Sequence, residues 1–215
     1  MDLNKKTVLQ WGFFTVGLII LALGISMMIK GRLLGVGPWD VLAIGLFKNF
    51  GLSIGTWSIL IGLAIVAITV AVTKQRPQLG TILNMILVGV FIDIFNFLLP
   101  DIDALAGQIV IFMAGLFVYA YGIGVYVSPQ MGAGPRDGLM LFLVEKTGWS
   151  IRTVRMMIEV TVAALGWLLG GPVGIGTVIV AFGTGAIAQY SIPQCRSLLL
   201  RLLPGKPETP SAVRL

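Results

Sequence analysis

Long apolar runs separated by short charged or turn-forming segments dominate the chain. The first run follows Lys5 and Lys6 and covers about 7–28, and five more cover about 54–72, 79–99, 105–127, 152–169 and 175–192. About 20 apolar residues in a helix cross the hydrocarbon core of a bilayer. Strands of a membrane β-barrel would instead alternate apolar and polar residues. The pattern therefore predicts an all-α polytopic membrane protein with six transmembrane helices.

Two shorter apolar stretches, 38–50 and 135–147, each begin at a proline and contain 13 residues. Because a helix of this length is too short to cross the bilayer, both are predicted to be re-entrant or interfacial helices.

The segments that lead into these short helices are repeated. Residues 35–56 read GVGPWDVLAIGLFKNFGLSIGT, and residues 132–153 read GAGPRDGLMLFLVEKTGWSIRT. Ten identities align at a shift of 97 positions without a gap. The repeat extends outward, because Gly17 and Gly24 recur as Gly115 and Gly122, and Gly80-Thr81 recurs as Gly176-Thr177. We interpret the chain as a duplicated membrane unit.

The duplication and the charge distribution together predict the topology. The first unit covers 7–99, the second covers 105–192, and 193–215 form a cytoplasmic tail outside this single integrated membrane domain. Each unit has three spans, and an odd number of spans turns the second copy upside down, giving inverted-topology repeats (3+3). With six spans and both termini cytoplasmic, 12 of the 15 basic residues lie inside. If the short helices crossed as well, the count would be ten against five, so the positive-inside rule favours six spans.

The repeated motif, Gly-x-Gly-Pro-x-Asp, predicts a bend followed by a helix start. Glycine permits unusual backbone angles, proline suits the first helical position, and an aspartate at the third position complements the helix dipole. Interrupted helices of inverted repeats that meet near the midplane form the substrate sites of many secondary transporters. The predicted substrate-binding residues are therefore those of the two motifs: Gly35, Gly37, Pro38, Asp40, Gly132, Gly134, Pro135, Arg136 and Asp137.

An alternative is that these residues only cap two interfacial helices. The two copies also differ, because Arg136 occupies the position of Trp39. An arginine favours an anionic ligand, whereas two aspartates oppose one, so the motif leaves the sign of the ligand charge open.

Two further acidic residues are candidates for ion coupling. Glu159 lies within a predicted span and follows Arg155 at the i,i+4 spacing of an ion pair. Asp93 lies near the end of the third span, where interfacial anchoring is the alternative.

Composition narrows the chemistry. Of 215 residues, 57% are hydrophobic, only 11% are charged and none is histidine. The single cysteine excludes an intramolecular disulfide, and without histidine a zinc site or Ser-His catalysis is not expected. The net charge of +6 reflects basic residues that flank the apolar runs. We therefore expect no enzyme, no cofactor, no metal and no nucleic-acid partner.

The motifs GVGPWD and GAGPRDGLM, with the turns GLSIGT and GWSIRT, resemble those of the bacterial YczE/YyaS/YitT family of integral membrane proteins. The resemblance implies a small multi-span protein of the bacterial inner membrane, and relatives have been grouped with exporters. The leading hypothesis is a secondary transporter or exporter of a small molecule or ion, embedded in lipid, with its site between the two repeats. A membrane protein that binds a partner or regulates one, and a channel, are the alternatives. A homo-oligomer is left open.

Overall fold

All regular secondary structure in the described residues is helical. The computed structural model describes residues 2–74, 76–132 and 134–203, and the side chains of 2–4, 137, 141, 151 and 152 lie outside that description. The elements are α1 Asp2–Lys30, a 3-10 turn Arg32–Leu34, α2 Pro38–Phe50, α3 Ile54–Thr73, α4 Leu79–Leu98, α5 Leu105–Val127, α6 Pro135–Thr147, α7 Ile151–Leu168 and α8 Ile175–Leu202. Both short helices, α2 and α6, have the predicted bounds.

Five of these helices are long and apolar enough to cross a membrane, namely α1 from Lys5 onward, α3, α4, α5 and α8. The prediction from hydropathy included a sixth, α7. This helix contains 18 residues, and three of them, Arg152, Arg155 and Glu159, are charged. The charges lower the apolar character of α7, so length and composition alone identify five spans.

The last helix is longer than predicted. The apolar run was expected to end at about residue 192, but α8 continues through Pro193 to Leu202. Ser191, Cys195 and Leu199 are buried at four-residue intervals along it. This buried face packs the helix on both sides of the proline, which offsets the hydrogen bond that a proline removes. The first ten residues of the predicted tail are thus helical, and 204–215 lie outside the described residues.

Helices α1 and α5 form the centre of the molecule and pack against each other from Gly17 to the end of α1. Phe14, Leu18 and Ala22 of α1 and Phe112 and Ala120 of α5 are fully buried. The contacts run in opposite directions along the two helices: Gly17 lies against Tyr126, whereas Gly31 lies against Gln108 and Phe112. The two helices are therefore antiparallel.

Glycines permit this close packing, and their contacts follow the repeat. A β-carbon on Gly24 would overlap the backbone nitrogen of Tyr119, and one on the equivalent Gly122 would lie 2.5 Å from the nitrogen of Leu21. Leu21 and Tyr119 are themselves equivalent at the shift of 98 positions that relates Gly24 to Gly122. We call the contact surface between α1 and α5 the seam. A contact made by a residue of α1 on α5 is thus made again by the equivalent residue of α5 on α1.

The remaining helices pack around α1 and α5. Helix α4 packs on α1 and α8 on α5, while α2 lies against α7 and α6 against α3. At the end of α2, the Lys48 Nζ donates to the Gly170 carbonyl oxygen and the Asn49 Nδ2 to that of Leu169, each at 2.7 Å. These bonds satisfy free carbonyl oxygens at the end of α7. Each short helix packs against a helix of the other unit.

The seam gives a prediction about stability. Replacing Gly24 with alanine places a methyl group on the backbone of α5, which we expect to lower the free energy of unfolding by about 1–3 kcal/mol. Thermal unfolding in detergent can be followed by a thiol-reactive dye, because the single cysteine, Cys195, is buried.

The matched control is Gly12→Ala on the same helix, where an added β-carbon meets no atom within 4 Å. An equal unfolding temperature for the two variants would contradict the role assigned to the seam.

Candidate functional site

The two repeated motifs adopt the same local backbone geometry. Gly35 and Gly132 have φ angles of +92° and +142°, in the region that favours glycine. Gly37 and Gly134 cap the following helices in an extended conformation, and Pro38 and Pro135 occupy the first helical turn. The predicted bend and helix start are therefore confirmed in both copies.

Each motif packs against the beginning of the last long helix of the other unit. A β-carbon on Gly35 would lie 2.7 Å from the Oγ1 of Thr177, and one on Gly132 would lie 3.0 Å from the backbone nitrogen of Thr81. These contacts are equivalent, because Gly80-Thr81 and Gly176-Thr177 occupy the same place in the repeat. The motifs thus join the two units.

A cavity of about 650 Å³ lies between the units, bounded by all eight α-helices and by the segment before α6. Its size falls in the range of small-molecule sites, about 300–1,000 Å³. The lining combines apolar side chains with a small number of polar and charged ones. Its members include Leu21, Ile25, Trp39, Ser58, Gly62, Asn84, Met85, Val88, Tyr119, Ile123, Tyr126, Gly132, Gly134, Pro135, Arg136, Met140, Arg155, Ile158, Glu159, Thr184, Ala188 and Ile192.

Six pairs of equivalent positions line the cavity. Ile25 and Ile123 are alike, and in the other five pairs the second unit supplies the more polar or the charged residue. These five pairs are Leu21 and Tyr119, Trp39 and Arg136, Ser58 and Arg155, Gly62 and Glu159, and Val88 and Thr184. Equivalent positions of the two units thus line the cavity, but most of their side chains differ in polarity or charge.

Trp39 and Arg136, which hold the same position in the two motifs, are in contact. The Cζ of Arg136 lies 5.0 Å from the centroid of the Trp39 ring, a cation-π geometry. This contact holds the guanidinium of Arg136 at the wall of the cavity.

A smaller crevice of about 20 Å³ adjoins the cavity and is lined by Gly37, Pro38, Trp39 and Asp40 together with Tyr119, Arg136, Arg155, Glu159, Val180, Ala181 and Thr184. Asp40 is only 5% exposed. Its carboxylate Oδ2 lies toward the start of its own helix, since a β-carbon on Gly37 would be 2.8 Å from it. An acid at this position complements the partial positive charge of the helix N-terminus.

An ion pair of α7 and a buried hydroxyl of α8 also border both the cavity and the crevice. The Arg155 Nε and Glu159 Oε1 form an ion pair at 3.0 Å, so the two charges of α7 compensate each other. Thr184 of α8 is 3% exposed, and its Oγ1 has no hydrogen-bond partner among the described residues. A buried hydroxyl without a partner is uncommon in folded proteins.

The structure brings most of the predicted site residues together. Gly132, Gly134, Pro135, Arg136 and Glu159 line the larger cavity, and Gly37, Pro38 and Asp40 line the crevice with Arg136 and Glu159. The backbone of Asp137 follows Arg136 in α6, and its side chain lies outside the described residues.

Gly35 was predicted to bind substrate, and this role stays a prediction. Gly35 borders neither space, because its left-handed backbone turns the chain onto Gly174 at the start of α8. Its role in the structure is to make that close approach possible.

Asp93 also lies apart from both spaces. Its carboxylate accepts hydrogen bonds from the Ser53 Oγ and, at 2.8 Å, from the Gly55 backbone nitrogen, so it satisfies the free N-terminus of α3. A capping role accounts for this geometry, and ion coupling by Asp93 stays a prediction.

Trp39, Tyr119 and Thr184 are site residues that the sequence reasoning missed. The repeat itself contained the signal, since each is equivalent to another residue that lines the cavity. No group of three or more His, Cys, Asp or Glu side chains lies together in the described part of the chain.

Comparison with known proteins shows relatives across almost the whole chain. A family of unknown function, DUF6198, matches residues 8–193. The chain is 48% identical over 197 residues to the uncharacterized membrane protein YczE of Bacillus subtilis, covering 92% of each chain. It is 36% identical over 180 residues to an uncharacterized protein of Haemophilus influenzae, with 82% of each chain covered.

A third relative is the uncharacterized protein YyaS of Bacillus subtilis, 27% identical over 188 residues, with 86% of this chain and 93% of the relative covered. No solved structure matches. The predicted resemblance to YczE and YyaS is confirmed.

The cavity predicts a pattern of chemical accessibility. In a Cys195→Ser background, we expect Ile158→Cys, which faces the cavity, to react with a membrane-impermeant anionic methanethiosulfonate, because the charged walls of the cavity attract water. Val160→Cys is the control on the same helix, since Val160 is 63% exposed on the outer surface and would face lipid. Labelling is measured by mass shift in membrane vesicles of both orientations. Failure of Ile158→Cys to react from either side would rule out a hydrated cavity.

Proposed function

The chain belongs to the family of unknown function DUF6198, and we propose that it is a secondary transporter or exporter that moves a small molecule or ion through the cavity between its two repeats. The observation that carries the proposal is that equivalent positions of both repeats line one cavity of about 650 Å³. Sites of this kind, at the interface of two repeats, are typical of secondary transporters.

We propose further that the repeats are inverted with respect to each other. Helices α1 and α5 are the equivalent first helices of the two units, and their contacts run antiparallel. When the first helices of two copies cross a membrane in opposite directions, the copies themselves are upside down with respect to each other. The exchange of partners along the seam supports a two-fold axis that passes between α1 and α5.

In this arrangement α7 is the sixth span. Its ion pair, Arg155 with Glu159, borders the cavity rather than the outer surface, so these two charges need not enter lipid. Helices α2 and α6 do not cross, because 13 residues extend only about 20 Å against a hydrocarbon core of about 30 Å. Six spans place both termini on one side, which the positive-inside rule makes the cytoplasm of a bacterial inner membrane.

The position of α2 supports a re-entrant helix. Its first turn borders the crevice together with Glu159 and Thr184, each nine residues from the turn that joins α7 and α8. Nine residues correspond to about 13 Å of helix, close to half of the hydrocarbon core. The other end of α2 hydrogen-bonds to Leu169 and Gly170 in that same turn. A helix that starts near the midplane and returns to the surface fits this geometry.

The chain carries no P-loop sequence for nucleotide binding, so the energy for transport would come from an ion gradient. Glu159 is the candidate for ion coupling, since it borders both the cavity and the crevice.

Reconstitution into liposomes tests the proposal. Uptake of a panel of radiolabelled small anions, cations and neutral solutes is measured as initial rate against concentration. We expect saturable uptake of at least one class, and a fall of about tenfold or more in the variant that combines Asp40→Asn with Asp137→Asn, since both motifs border the transport route. Asp103→Asn, which changes an exposed loop acid in the same way, should keep the rate of the unmodified protein.

Three results would contradict the proposal. Full activity of the double variant would remove the motifs from the transport route. Fast conduction that does not saturate would indicate a channel. Absence of uptake for the whole panel, with a stable protein partner retained through purification, would indicate a partner-binding membrane protein.

A further inference from the structure

Resting on the proposed transport function, we propose a class of substrate: an organic anion with an apolar body, whose anionic group binds between Arg136 and Thr184. Four observations carry this assignment: the charges around the cavity, the contact of Arg136, the unpaired hydroxyl of Thr184 and the apolar remainder of the lining.

Arg136 forms no salt bridge with a side chain that the structure describes, and it acts on the carboxylate of Asp40 at longer range. Among the described side chains, the salt bridges are Lys30 with Asp101 and Arg155 with Glu159, and neither includes Arg136. Asp40 borders the same crevice, but its carboxylate turns toward the start of its own helix at Gly37. The charge of Arg136 is therefore available to a ligand.

The contact of Arg136 with Trp39 fixes how that charge is presented. The Cζ of Arg136 lies 5.0 Å from the centroid of the Trp39 ring, and a guanidinium can form two parallel hydrogen bonds through one N–H edge. A carboxylate matches this edge in charge and in shape. A cation would be repelled, and a neutral amide would form the weaker uncharged bonds.

Thr184 supplies an independent second contact. Its Oγ1 is buried and has no hydrogen-bond partner in the part of the chain that the structure describes, and Thr184 borders both the cavity and the crevice, as Arg136 does. A hydroxyl can donate to a ligand oxygen, which would satisfy a group that the protein leaves unpaired. The equivalent residue of the first unit is Val88, so this donor exists on one side of the cavity alone.

The rest of the cavity favours a ligand that is much larger than its charged group. Apolar side chains supply a large part of the wall, among them Ile25, Ile123, Met140, Ile158 and Ile192. A free inorganic anion would leave these walls facing water, whereas an aliphatic or aromatic body would cover them. The ligand class is therefore amphipathic, with one anionic end.

Equilibrium dialysis of the purified full chain tests the assignment with three probes of one shape: 2-naphthoate, the neutral 2-naphthamide and the cationic 2-naphthylmethylamine. We expect 2-naphthoate to bind at least about tenfold more tightly than the other two, as one charge-assisted bidentate contact provides. Arg136→Gln should remove this preference, and Arg136→Lys should keep part of it. Arg201→Gln, which removes an exposed charge near the end of α8, should keep all of it.

Two variants of Thr184 test whether its hydroxyl binds the ligand. Thr184→Val, which keeps the shape and removes the hydroxyl, should weaken 2-naphthoate binding by about threefold to tenfold, and Thr184→Ser should restore it. Size-exclusion chromatography identifies folded variants, and the threonine pair decides the question if Arg136→Gln does not fold.

The outcomes separate the substrate class from the transport function. Equal binding of the three probes, or preference for the amine, would overturn the assignment, even if liposomes take up another solute. Tight binding of 2-naphthoate that depends on Arg136 supports the assignment, even if no flux accompanies it, and in that case transport alone would be wrong.

Discussion

The close approach of α1 and α5 is the constraint on which the rest of the structure depends. In a bilayer the lipid tails are as apolar as leucine, so helices associate through close packing and hydrogen bonds rather than through the exclusion of water. Glycines allow the two backbones to touch, and Gly17, Gly24 and Gly122 each lie against backbone atoms of the facing helix. This seam fixes how α4 and α8 pack on its two sides, and with them the walls of the cavity.

Much of the fold could be predicted from sequence, because its determinants are local. Apolar runs indicated the long helices, and Pro38 and Pro135 indicated the start of the short ones. The exceptions have physical reasons. Pro193 does not end α8, since burial on both sides of the proline holds the helix together. Charged residues weaken the hydropathy signal of α7, although two of them neutralise each other at the cavity.

The site was less predictable, because it depends on contacts between residues far apart in the chain. The motif indicated that Asp40 and Arg136 belong to it, but not that Gly35 turns away to pack on Gly174. Nothing local marks Thr184, a threonine in an apolar helix, whose importance lies in a hydrogen bond that it does not make. Aligning the two repeats and asking where both copies face the cavity would have found it.

The seam between α1 and α5 also bears on how such a chain could arise. Its contacts are reciprocal: Gly17 meets Tyr126, while Gly115 meets Met28, the counterpart of Tyr126. This is the rule of an isologous interface between identical subunits. In a homodimer of single units, the residue nearest the axis would face its own copy, so two arginines there would repel each other. Fusion into one chain removes that restriction, and the contact of Trp39 with Arg136, which hold equivalent positions in the repeat, is a pair that identical subunits could not form.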